Sequence, residues 1–101
     1  MIIYNVTLKV APEIHEPWLG WLMDTHIPEV LDTGCFRESR VLRMLEVDET
    51  EGPTYTVQYT ALSKSDYNRY IELHAPVLRQ RSFDQWGERF IAFRSVMEGV
   101  H

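Results

Sequence analysis

The chain has 101 residues, 45% of them hydrophobic and 25% charged, which fits one globular domain and excludes a disordered one. Its single cysteine, Cys35, cannot form an internal bridge, which excludes a disulfide-stapled scaffold. The net charge of −5 argues against nucleic-acid and anionic-membrane partners, since both need a basic surface.

The first segment, Met1-Ile2-Ile3-Tyr4-Asn5-Val6-Thr7, has neither a basic region nor a long apolar core. It is read as neither signal peptide nor membrane anchor, and a cytoplasmic location is expected. Residues 2–10 alternate, with Ile2, Tyr4, Val6, Leu8 and Val10 on one face, and Asn5, Thr7 and Lys9 on the other. That period predicts a half-buried strand, ended by Ala11-Pro12. Residues 14–33 carry a helical pattern through Trp18, Leu19, Leu22, Met23, Ile27 and Val30. Pro28 removes the hydrogen bond to the Asp24 carbonyl and should kink or end this helix. Trp21 falls off the apolar arc and reads as an interface residue.

A second strand is expected over 36–47 and a third over 54–61, joined by the acidic turn Asp48-Glu49-Thr50-Glu51-Gly52-Pro53. In the third, Tyr55, Val57, Tyr59 and Ala61 share one face, and Thr54, Thr56, Gln58 and Thr60 the other. Ser63 and Asp66 have capping-box spacing, so a second helix should start there. It places Tyr67, Tyr70, Ile71, His74, Val77 and Leu78 on one side, with Pro76 interrupting it. A turn is expected from Ser82 to Gly87, then a last strand from Arg89 to Met97.

The order β-α-β-β-α-β predicts a single α+β domain over 1–101, with a four-stranded antiparallel sheet and both helices on one face. Each β-α-β half carries a His-x-Pro step, His26-Ile27-Pro28 and His74-Ala75-Pro76. The uncovered sheet face is polar but nearly uncharged, and the last strand, with Ile91 and Phe93 alternating against Ala92 and Arg94, is apolar on both sides. Both features point to a second subunit over that face, and a C2 homodimer is the commonest such arrangement.

Met1–Thr7, Trp18-Leu19-x-Trp21, the two His-x-Pro steps, Gly34-x-Phe36, Gly52-Pro53-Thr54-Tyr55, Gln58-Tyr59 and Phe93-Arg94 together resemble a bacterial family of short proteins known only as a domain of unknown function. More distantly the layout is similar to the dimeric α/β-barrel superfamily, which includes cofactor-free and haem-degrading monooxygenases. The resemblance implies a ferredoxin-like fold and a dimer whose two sheets form a barrel, and it implies no particular reaction. Haem-degrading members use an Asn on the first strand and an iron-ligating His on the second helix, as Asn5 and His74 would supply. They also use a Trp early in that helix, where this chain has Lys64, Ser65, Asp66 and Tyr67, so haem degradation is not expected.

His26 and His74 both fall on apolar arcs. Each ring must then bond a backbone carbonyl freed by its neighbouring proline, or face a cavity as a base, proton donor or ligand. The superfamily resemblance favours a helix His-x-Pro facing a pocket, which puts His26 first as a catalytic candidate. Asn5, Tyr59 and His74 are its candidate neighbours in a ligand pocket between sheet and helices. Arg37, Arg40, Arg43 and Arg94 could orient a carboxylate or pair with Glu38, Glu46 and Glu88. His15 and His101 read as surface residues. No paired His or Cys has metal-ligand spacing and no glycine-rich phosphate loop exists, so neither metal nor cofactor is expected. The expected function is a dimeric small-molecule pocket; the superfamily resemblance implies, for an enzyme, proton abstraction from or cofactor-free oxygenation of an aromatic or polyketide-like substrate. The alternative is a non-catalytic interaction or regulatory module, using the acidic 46–51 segment and Trp21.

Overall fold

The computed structural model describes residues 1–100, so His101 lies outside the described residues. The alternating first segment forms β1 (Ile2–Val10), followed by a 3-10 turn at Pro12–Ile14. The first helical stretch is α1 (His15–Trp21), a π turn (Leu22–His26) and α2 (Ile27–Asp32). Pro28 therefore neither ends the helix nor stands in its middle. The Ile27 N–H reaches back to the Leu22 carbonyl, widening the helix by one residue just before the proline. Pro28 then sits in the first turn of α2, where an amide hydrogen is not needed.

β2 (Glu38–Arg43) is shorter than the sequence pattern, because Cys35 and Phe36 are buried in the approach to it and do not pair in the sheet. β3 (Thr54–Ala61) has its predicted bounds and strict burial alternation. Gly52 precedes it with φ +113°, and a Cβ there would lie 1.7 Å from the Val10 carbonyl oxygen. Only glycine permits that approach, which lets Val10 N–H bond the Pro53 carbonyl at 3.1 Å.

The Ser63 hydroxyl accepts a hydrogen bond from the Asp66 amide at 3.2 Å and starts α3 (Lys64–Leu73). His74 is the hinge to α4 (Ala75–Trp86), whose first turn holds Pro76. The segment expected as a turn from Ser82 to Gly87 is therefore helical down to Trp86. Ala75, Leu78 and Trp86 continue one buried stripe, and Gly87, with φ +62°, closes the helix. β4 (Phe90–Glu98) completes the sheet.

The sheet order is β2-β3-β1-β4, antiparallel throughout, which is the ferredoxin-like topology. Its core is an aromatic cluster around Tyr4, whose ring lies 5.9 Å from Phe36, 6.0 Å from Tyr59 and 5.7 Å from Tyr70. On the face away from the helices, Asn5 stands opposite Gln58 and Ser95, and Thr7 opposite Thr56 and Phe93. Ile91 and Phe93 on that face are 56% and 69% exposed.

Candidate functional site

Between the sheet and the helices lies a cavity of about 40 Å³, room for roughly three waters. β1 supplies Tyr4 to its floor and β3 supplies Tyr59, while α1 and the π turn supply Trp18, Trp21 and His26. α3 contributes Tyr70, α4 contributes Arg79 and Ser82, and β4 contributes Phe90 and Arg94. Arg79 and Arg94 are solvent-exposed and still line the space, so they stand at its rim.

His26 ends the π turn and stands on the wall of this cavity. The imidazole stacks on Trp21 with ring centres 4.9 Å apart and planes 20° from parallel. Its Nδ1 is buried without a hydrogen-bond partner. Neither the bond to a proline-freed carbonyl nor solvation satisfies it, so contact with a ligand falls to Nε2. Burial lowers the His26 pKa to about 4, with Glu29 opposing and Arg94 adding to the effect. The ring is neutral at physiological pH. An orphaned lone pair costs less than an orphaned N–H, which places the proton on Nε2 as a hydrogen-bond donor.

The tyrosines form the polar part of the wall. Burial raises the pKa of Tyr59, and the neighbouring Tyr70 and Tyr4 rings add to it. Tyr70 is raised for the same first reason. Both phenols stay protonated. Arg79 donates to the Tyr4 hydroxyl at 3.1 Å. No carboxylate lines the cavity among the described residues.

Of the five residues singled out from sequence, the structure brings His26, Tyr59 and Arg94 to this one cavity. Asn5 is elsewhere: strand alternation turns it to the opposite sheet face, where its amide bonds the Thr7 hydroxyl at 3.2 Å. His74 is elsewhere too. As the hinge between α3 and α4 it lines a shallow outer groove with Glu29, Asp32 and Arg81, its ring 6.3 Å from Tyr70. The two His-x-Pro steps are therefore not equivalent.

Other readings also shift. Trp21, although off the apolar arc, is half-buried against the core and stacked on His26. His15 is half-buried, its Nε2 2.5 Å from the Tyr55 hydroxyl, so it ties α1 to β3 and is no free surface residue. Arg43 pairs with Glu49 at 2.8 Å across the hairpin turn, rather than with Glu38, Glu46 or Glu88. Tyr4, Arg79 and Ser82 were not singled out. The signal for the last two was the stripe 75, 78, 79, 82, 86, which is helical spacing carried past the point where the helix was expected to stop. Among the described residues, no group of three or more His, Cys, Asp or Glu side chains could hold a metal ion, and no helix is long and apolar enough to cross a membrane.

The family model "Domain of unknown function (DUF4286)" matches residues 1–100. No curated protein matches the chain. Solved structures share the fold at low identity. A dimeric ferredoxin-like protein from an uncultured marine organism is 11% identical with TM-score 0.75, over 99% of this chain and 95% of its own. An ethyl tert-butyl ether D (EthD) family protein from Bacillus halodurans is 14% identical with TM-score 0.71, over 99% of this chain and 100% of its own. A protein from Nitrosomonas europaea provisionally assigned as an antibiotic biosynthesis monooxygenase is 12% identical with TM-score 0.68, over the whole of both chains.

Proposed function

The chain belongs to the DUF4286 family, whose description names no reaction, and we propose from the site itself that it is a homodimeric protein binding a small molecule between sheet and helices. The observation that carries the reading is the half-buried His26 ring, whose buried Nδ1 has no hydrogen-bond partner, on the wall of a cavity that Tyr59 and Arg94 also line. Buried polar groups are normally satisfied, and a site that leaves one unpaired beside a void is where ligand chemistry is expected. His26 is the candidate catalytic group, its neutral Nε2–H serving as a hydrogen-bond donor to the ligand. Asn5 and His74 belong to other surfaces, Asn5 to the face a second subunit would cover. The lone buried Cys35 accords with a reducing, cytoplasmic setting.

A thermal-shift screen of small aromatic and polar compounds tests the pocket, because a specific binder raises Tm by mass action. Hits should lose their effect in Ser82→Leu, whose larger side chain fills the cavity. A hit that stabilises Ser82→Leu as much as wild type binds elsewhere and sinks the reading.

The homodimer is supported by the exposed Ile91, Phe93 and Met97 on the open sheet face, and by the dimeric ferredoxin-like protein among the fold neighbours. Light scattering after size exclusion should give twice the chain mass for wild type, and one chain mass for Phe93→Lys at micromolar concentration. A wild-type monomer at that concentration refutes it.

A further inference from the structure

We propose that the ligand of this cavity is a small aromatic monocarboxylate, its carboxylate held between Arg94, Arg79 and His26 Nε2; this rests on the pocket reading above. Three observations converge on it. The first is charge. The chain carries −5 overall, yet the cavity is lined by two arginines and no carboxylate among the described residues. Among the described residues neither guanidinium is ion-paired. Arg79 bonds the neutral Tyr4 hydroxyl, whereas neighbouring Arg81 is neutralised by Glu29. A rim that stays cationic on an acidic protein, with a counter-charge nearby but spent on another residue, is matched by an anion.

The second is size and shape. About 40 Å³ accepts a group of roughly three heavy atoms, which is a carboxylate, and guanidinium groups pair bidentately with that plane. The third is the wall. Trp21 and Phe90, both half-buried, present apolar aromatic surface beside the charged rim, which suits a ring attached to the carboxylate. His26, neutral and carrying its proton on Nε2, adds a donor without adding a charge to be balanced. The ring is too large for that space and rests at its mouth, beside the exposed Arg79 and Arg94.

Isothermal titration of the full chain with benzoate and with benzamide, its uncharged isostere, at pH 7.5 and low salt tests the proposal. Benzoate should bind about tenfold more tightly than benzamide, and Arg94→Gln should remove most of that preference by weakening benzoate far more than benzamide. Arg94→Lys, which restores the charge but not the fork, should recover part of it. Benzamide binding as tightly as benzoate, or a preference that survives Arg94→Gln, overturns the carboxylate assignment while leaving the pocket intact. Absence of binding by both overturns the assignment as well. The pocket reading itself falls only if the wider screen also finds no binder sensitive to Ser82→Leu.

Discussion

Replacing His26 by Phe keeps a flat ring against Trp21 and removes the one titratable group whose folded-state pKa is strongly depressed. In the unfolded chain the imidazole titrates near its ordinary value of about 6.5. In the folded chain burial holds it at about 4. Between those values the unfolded state takes up a proton that the folded state refuses, so wild-type stability falls as pH drops through this window. At pH 7.5 both states are neutral and the variant should lie within about 1 kcal/mol of wild type, since an unpartnered polar atom is exchanged for carbon. At pH 5 the linkage amounts to about 2 kcal/mol, approaching about 3 kcal/mol near pH 4. Urea unfolding followed by tryptophan fluorescence, at fixed protein concentration, gives the stability difference between wild type and His26→Phe at each pH. Other titrating groups contribute equally to both proteins and cancel. The variant should gain about 2 kcal/mol on wild type between pH 7.5 and 5. An unchanged difference would refute the reasoning, because it would mean that the ring is solvated or hydrogen-bonded in solution.

Two further outcomes concern the frame around the site. Gly52→Ala should cost roughly 2–4 kcal/mol in urea unfolding, because its Cβ would meet the Val10 carbonyl oxygen at 1.7 Å with φ at +113°; a loss below about 1 kcal/mol would show that the hairpin gives way easily. Ser63→Ala should cost about 1 kcal/mol through loss of the bond to the Asp66 amide, and Ser63→Asp should restore most of it.

Much of the fold was legible because it rests on local periods. The two-residue alternation of β1 and β3 predicts their bounds and which face is buried, and Ser63 announces α3 three residues ahead of Asp66. Reading failed where two local signals met. Pro28 looks like a helix stop when only the i−4 bond is considered, and the π turn before it evades that penalty. Ser82 to Gly87 reads as a turn because Ser82, Asp84, Gln85 and Gly87 are turn-compatible, although its buried stripe continues to Trp86.

The sequence by itself determined the class of the domain, the polar and apolar faces of its sheet, and the inward position of His26. Tertiary structure alone decided which candidate residues share a site. A strand sends alternate residues to opposite faces, so Asn5 and Tyr4, adjacent in the chain, end on opposite sides of the sheet. A helix hinge at His74 turns that ring outward although its motif matches that of His26. Arg79 and Arg94 lie 15 residues apart on different elements, and they meet at one rim only because β4 folds back beside β1 under the helices. Local pattern sets the direction of a side chain relative to its own element. Which directions converge depends on how the elements pack, and that is a property of the whole chain.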